Sequence, residues 1–323
     1  VTAPHFDRNR FEDARARIAG SIHRTPLVPS RTLSGRVGVP VYLKCENLQK
    51  TGAFKVRGAL HRLLRLDDEE RARGVVTISA GNHAQAVAWA AAAAGTRAVV
   101  VMPEHASPAK VEASRGYGAD VVLHGTAREA FARAFEIAEE RGMRFVHPFD
   151  DEEVVAGHGS CALEILEDLP DVGTVVVPVG GGGLVSGIAA ATASVRPGVA
   201  VWGVEPEGAD AMHRSLEAGR AVHLDHVDTV ADGLGAPMAG VLNHALVSAY
   251  ARGVVLVSDD EIVDAMKVML ERTKLLAEPA GAAGLAALLQ GRIPLEGEAP
   301  VAVVVSGGNV DLSLLGRLLT QKA

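Results

Sequence analysis

Lysine is scarce in this chain, seven residues against 25 arginines, and Lys55 stands in Lys50-Thr51-Gly52-Ala53-Phe54-Lys55-Val56-Arg57-Gly58-Ala59. It follows a glycine turn and precedes a helix expected over Arg57 to Leu66. A lysine partly buried at a helix N-terminus has its ammonium form disfavoured by the dipole and by lost hydration. What remains is a neutral amine able to attack a carbonyl. That is the chemistry of a Schiff-base lysine, although a surface lysine at a helix start shows the same local pattern.

A second segment, Pro178-Val179-Gly180-Gly181-Gly182-Gly183-Leu184, lies between a strand expected over Thr174 to Val179 and a helix expected over about Leu184 to Ser194. Consecutive glycines let backbone N–H groups turn inward at a helix N-terminus. A phosphate dianion there gains up to ~2 kcal/mol from the dipole as well as several hydrogen bonds. No Gly-Lys-Ser/Thr follows, which excludes a P-loop. A dinucleotide site is harder to dismiss, because the next strand ends at Glu205, about where a ribose-binding carboxylate belongs. The third fingerprint glycine, however, would fall on Val185 or Ser186, so GxGxxG is never completed.

A third turn, Ser79-Ala80-Gly81-Asn82-His83-Ala84-Gln85, offers N–H groups for a carboxylate and, at Asn82, an amide donor. An N-capping Asn82 and a core His83 are the structural alternative. The fourth, Val305-Ser306-Gly307-Gly308-Asn309, ends an apolar run with a hydroxyl, as a plain turn also would. Glu278-Pro279-Ala280-Gly281 opens an Ala/Leu-rich helix and places a carboxylate at the same edge. His223-x-x-His226, beside Asp225 and Asp228, has neither the helical spacing nor the intervening glutamate of a metal motif and is assigned no role.

The elements that must position these turns are legible as short β-branched runs between alanine-rich helical stretches. Val75 to Ile78, Ala98 to Met102, Val121 to Leu123, Val175 to Val177 and Val301 to Val305 suit parallel strands covered on both faces. The fold class is therefore α/β, with each strand feeding a helix at its carboxyl end, where open sheets collect ligands. About three βα units fall between residues 73 and 147 and end at His147-Pro148-Phe149-Asp150-Asp151. This predicts a small α/β domain, 73–147, inserted in a larger one made of 1–72 and 148–323.

The 323 residues, 48% hydrophobic and 22% charged, are enough for a substantial core, and a net charge of -7 excludes nucleic acid as a main partner. The apolar run around Ala84 to Ala94 is too short for a membrane span, and the amphipathic Asp7 to Gly20 is no secretory signal. Cys45 and Cys161, without CxxC pairing, point to a reduced, cytoplasmic location. No membrane partner is expected.

Taken together and in this order, the four motifs resemble those of the fold-type II pyridoxal-phosphate enzymes, specifically the serine/threonine dehydratase and serine racemase group, over nearly the whole chain. The resemblance implies a tryptophan synthase β-like architecture of two open, mostly parallel twisted sheets flanked by helices. It implies pyridoxal 5'-phosphate as cofactor and Lys55 as the catalytic Schiff-base residue, with Phe54 beneath the ring. Gly180, Gly181, Gly182, Gly183 and Leu184 would bind the phosphate, Asn82 the ring oxygen O3', Ser306 the pyridine nitrogen, and Gly233 of Ala231-Asp232-Gly233 would lie along the ring. Ser79, Ala80, Gly81, Asn82 and His83 would form the substrate loop. A hydroxyl at the pyridine nitrogen makes a weaker electron sink than a carboxylate would, which favours prompt expulsion of a β-leaving group.

The implied reaction is β-elimination from L-threonine and L-serine to a 2-oxo acid and ammonia by a homo-oligomer, dimer or tetramer. Two departures separate the chain from the racemase branch. Ala80 stands where the racemases carry the serine that serves as an acid on the opposite ring face, and the family's divalent-cation positions fall on Glu205, Ala209 and Ala211, so one carboxylate is missing. The cation is therefore doubtful. The chain ends soon after SGGN, which implies the short catabolic form without a regulatory domain. Alternatives are a threo-3-hydroxyaspartate lyase, because Ala53 replaces the serine common before Phe-Lys, a serine racemase, and a cofactor-binding regulator without turnover.

Overall fold

The structure, a computed structural model, describes residues 3–320. Among the described residues, ten strands form two sheets. The strands are β1 (Leu27–Pro29), β2 (Val41–Cys45), β3 (Val75–Ile78), β4 (Ala98–Met102), β5 (Asp120–Leu123), β6 (Arg144–Phe145), β7 (Thr174–Pro178), β8 (Ala200–Pro206), β9 (Gly253–Val257) and β10 (Val301–Val305). The six-stranded sheet has the order β1-β2-β10-β7-β8-β9 and is parallel except for β1, which pairs antiparallel with β2. The four-stranded sheet, β5-β4-β3-β6, is parallel throughout. This is the α/β arrangement of two mostly parallel sheets that the sequence implied.

The central strands are apolar along their whole length because helices cover both faces. In β10, Ala302 and Val304 join one core cluster while Val301, Val303 and Val305 join another, the period-two alternation of a strand buried on both sides. One face of the large sheet carries the helices Glu152–Asp168 and Gly183–Val195, which meet through glycines: a Cβ on Gly187 would lie 2.5 Å from the Val155 carbonyl oxygen. The opposite face carries the Ala/Gly-rich helix Pro279–Leu289, buried from Pro279 to Leu288. The edge strand β1, flanked by Pro26 and ending at Pro29, had no apolar run to announce it.

The four-stranded sheet is built wholly from residues 75–145, with the helix Asn82–Ala94 packed on one side and Ala127–Arg141 on the other. Val56, Ala59, Leu60 and Leu63 of the helix Lys55–Leu64 belong to the same core cluster as Ala84, Val87 and Ala91. The lysine-bearing helix is thereby keyed to the small sheet. Among the described residues no helix is long and apolar enough to cross a membrane. Cys45 and Cys161 are free and buried, and burial pushes both thiols up, Cys45 to about 12.

Candidate active site

Lys55 is the first residue of its helix, two residues earlier than the sequence pattern suggested. The preceding turn uses left-handed backbone at Thr51 (φ 58°) and Gly52 (φ 73°). Ala53 then bridges Gly307, Phe54 N–H donates to the Ser306 carbonyl (3.0 Å) and Gly308 N–H to the Gly52 carbonyl (2.9 Å). Those bonds fasten the lysine turn to the end of β10. The Lys55 ammonium donates to the Pro148 carbonyl (2.9 Å) and lies 5.1 Å from the centre of the Phe54 ring. Burial pushes its pKa down to about 8, against the pull of the Glu278 carboxylate.

The tetraglycine turn joins β7 to the helix Gly183–Val195. Gly182, at φ 98°, is the N-cap and supplies no side-chain acceptor, so the leading N–H groups of the helix are left for a ligand. The outer side of the turn is packed shut. A Cβ on Gly181 would lie 2.4 Å from the Phe149 ring, and one on Gly182 would lie 2.8 Å from the Asn243 Cβ. Asn243 Nδ2 donates to the carbonyls of Gly181 and Phe149 (3.0 Å each). These glycines are thus required for backbone packing as well as for a cradle, a second reason that the motif alone did not disclose.

Ser79 Oγ accepts from Gly81 N–H (3.0 Å), and Gly81, not Asn82, caps the helix that Asn82 begins. Asn82 Nδ2 donates to Glu278 Oε1 (2.7 Å). Glu278 is buried, and that burial, reinforced by the Asp232 charge, pushes its pKa up to about 8 against Asn82, Lys110 and Lys55. The His83 ring is buried 3.1 Å from Thr77 Oγ1, and burial holds its pKa well below the usual imidazole value. Its ring is packed inward, as in the structural alternative, while the residue is also part of the cleft lining. At the opposite wall Ser306 follows β10 with its hydroxyl 3.5 Å from the Ala280 carbonyl, and Gly233 lies in the turn Asp232–Leu234.

All of these line one cleft of about 330 Å³: Phe54, Lys55, residues 79–83, Gly180 to Leu184, Gly233 and Ser306, joined by Pro148, Phe149 and Glu278. Pro148 and Phe149 were missed because nothing local marks them. Lys110 and Asp232 are also in the lining, and their ion pair (2.6 Å) crosses the cleft.

The structure does not bring Glu205 or Ala209 to this cleft. The Glu205 carboxylate accepts from Met212 and His213 N–H (2.8 Å each) at the start of the helix Ala211–Ala218, which leaves no ribose-binding role for it and removes the dinucleotide alternative. Burial pushes Glu205 up to about 8 despite those donors. Among the described residues no group of three or more His, Cys, Asp or Glu side chains is arranged to hold a metal. Ala53 is fully buried against Gly307 and is not part of the lining, so it cannot touch a substrate's β-substituent directly.

The residues present fit pyridoxal phosphate: an uncapped glycine-lined helix N-terminus, a lysine whose pKa is lowered to about 8, an amide donor and a hydroxyl enclose one cleft. Comparison with known proteins agrees. Residues 18–307 match the model of a family described as pyridoxal-phosphate dependent enzyme. The chain is 46% identical to the L-threonine ammonia-lyase of Thermotoga maritima over 96% of its own length and 77% of that protein. It is 42% identical to the catabolic L-threonine dehydratase TdcB of Escherichia coli, over 95% and 94% respectively. Its fold superposes on maize serine racemase with a TM-score of 0.93 at 39% identity, covering 97% of both chains. The chain belongs to the pyridoxal-phosphate dependent enzymes.

Proposed function

We propose that this protein is an ammonia-lyase that dehydrates and deaminates a hydroxy-amino acid, L-threonine and L-serine first, releasing a 2-oxo acid and ammonia. The observation that carries the reading is Lys55, a lysine whose pKa is lowered to about 8, at a helix start inside a cleft whose substrate loop offers Ala80 and no hydroxyl at that position. Bound pyridoxal phosphate supplies the electron sink that acidifies an amino acid's α-carbon. The chain's own residues do the rest. N–H groups of Gly180 to Leu184 would hold the phosphate, Asn82 would donate to the ring oxygen, Ser306 would meet the ring nitrogen, and Phe54 and Gly233 would line the space for the ring. Ser79, Gly81 and the N-terminus of the helix Asn82–Ala94 receive the α-carboxylate. Lys55, as the free amine, takes the α-proton; the β-hydroxyl leaves as water once it gains a proton, for which the Lys55 ammonium just formed is the donor this chain supplies, and the enamine that results takes up water and hydrolyses to the 2-oxo acid and ammonia.

Residues 1–72 with 148–323 as the cofactor-binding domain and 73–147 as a smaller inserted one belong to the same proposal, and the separate four-stranded sheet supports that division. So do cytoplasmic residence, in keeping with two free buried cysteines, and a homo-oligomeric state that would cover exposed leucines such as Leu48, Leu276 and Leu312. The test is release of ammonia and 2-oxo acid across L-threonine, L-serine and threo-3-hydroxyaspartate, with chiral analysis of the remaining amino acid. The threonine and serine reactions should dominate without D-serine accumulating. Ala80→Ser, which adds an acid on the second face, should raise D-serine formation by ~10²-fold. D-serine appearing as fast as pyruvate in the wild type would overturn the lyase reading.

A further inference from the structure

Two residues of the motif regions have no part in the reaction as proposed: Asn309, which ends SGGN, and Glu278, which opens the helix Pro279–Leu289. Both meet Asn82. Asn309 Nδ2 donates to the Thr51 carbonyl (2.6 Å) and to Asn82 Oδ1 (2.9 Å), while Asn82 Nδ2 donates to Glu278 Oε1 (2.7 Å). A backbone carbonyl can only accept, so the Thr51 contact decides which end of the Asn309 amide is nitrogen, and both of its hydrogens are then spent. Asn82 Oδ1 must be the acceptor, and its nitrogen must face Glu278. Glu278 uses one of that nitrogen's two hydrogens. The other is left for the cleft that Asn82 lines.

The chain of amides is itself built in. A Cβ on Gly52 would lie 2.3 Å from Asn309 Oδ1, and one on Gly307 would lie 2.2 Å from Glu278 Oε1, so the glycines of two motifs make room for it. Glu278 N–H donates to the Gly307 carbonyl (3.1 Å), tying the carboxylate's backbone to the same turn. Asn309 does not line the cleft.

We propose that Asn309 and Glu278 are positioning residues that hold the Asn82 side-chain amide in a single orientation, nitrogen toward the cofactor's ring oxygen. Without them the amide is free to flip, and a flipped Asn82 would present an oxygen to an oxygen. The proposal rests on the reading that Asn82 contacts the cofactor.

The test uses holoenzyme and two readouts: the visible absorbance of bound cofactor, sensitive to hydrogen bonding at its ring oxygen, and the rate of cofactor loss on dilution. Asn309→Ala should change the absorbance and speed the loss about 10-fold, the worth of one hydrogen bond whose partner is left stranded. In an Asn82→Ala background the same substitution should change the rate by less than about 2-fold. Equal effects in both backgrounds would show that Asn309 does not act through Asn82 and would overturn the proposal. If Asn82→Ala alone moved neither readout, the contact beneath the proposal would be wrong and both would fall; an effect of Asn82→Ala with none from Asn309→Ala would overturn the positioning alone. Should Asn309→Ala fail to fold, Glu278 decides: Glu278→Gln keeps an acceptor and should stay within about 2-fold of wild type, whereas Glu278→Leu should lose cofactor about 10-fold faster. Identical behaviour of the two would overturn the proposal.

Discussion

Lys55 and Arg57 sit two residues apart at the start of one helix, Lys55 half-buried in the cleft wall and Arg57 fully buried, and burial drives the lysine down to about 8 while the arginine is held more firmly charged than in water. The difference lies in their partners. Burial works against the Arg57 charge too, but its guanidinium meets Glu46 through two bonds (2.7 and 2.8 Å), Glu164 through two more (2.7 and 2.8 Å), and Ser160 (3.0 Å). Lys44 completes the set, donating to Glu164 (2.5 Å) and the Thr25 carbonyl (2.8 Å), so two cations and two carboxylates balance. Burial alone would raise the Glu46 pKa; Arg57, Lys44 and Thr25 bring it below the usual carboxylate value. Lys55 has only a backbone carbonyl, and its nearby carboxylate, Glu278, is itself pushed toward neutrality. A buried charge that is fully paired becomes scaffold; one left short of a partner becomes reactive.

Removing either side chain should have opposite effects on activity and stability. Lys55→Ala should lower ammonia release from L-threonine by at least ~10⁴-fold, the upper range for one positioned proton carrier, with an unchanged melting temperature. Full release by that variant would remove Lys55 from the reaction. Arg57→Met should do the reverse, costing about 3–5 kcal/mol of stability in urea unfolding because two carboxylates lose their counter-charge inside the protein. A loss under about 1 kcal/mol, the scale of an exposed pair, would show that the network is no unit.

The Lys55 proton can be followed by titration. Capture of pyridoxal phosphate by the apoprotein requires the unprotonated amine, so its rate should rise with pH, level off above about 8, and fall about tenfold per unit below. Because the Glu278 charge favours the Lys55 ammonium, Glu278→Gln should move that midpoint downward in stopped-flow absorbance. An upward shift would contradict the electrostatic account.

What the sequence disclosed and what it hid follow the range of the interactions. The glycine and SAGNH turns were readable because each is a strand-to-helix junction whose residues adjoin in the chain. Phe149 against Gly181, and the Pro148 carbonyl 93 residues from Lys55, carry no local mark. Arg57 was placed at the head of the helix, whereas its side chain points into the core and the helix starts at Lys55. Asn309 read as a turn residue because its three partners, Thr51, Asn82 and the crowding Gly52, come from other segments.

The position of β10 carries a consequence for synthesis. Its residues Val301 to Val305 pair on one side with Val41 to Cys45 and on the other with β7, so the strand nearest the end of the described chain closes the middle of the large sheet. Until residue 305 has been made, β2 and β7 have no common neighbour, and each exposes an edge of unpaired backbone groups. The small sheet, finished by residue 145, has no such dependence. Contacts so distant along the sequence make for slow folding, and a nascent chain carries one adhesive edge once β2 is made and a second once β7 is made, until β10 covers both.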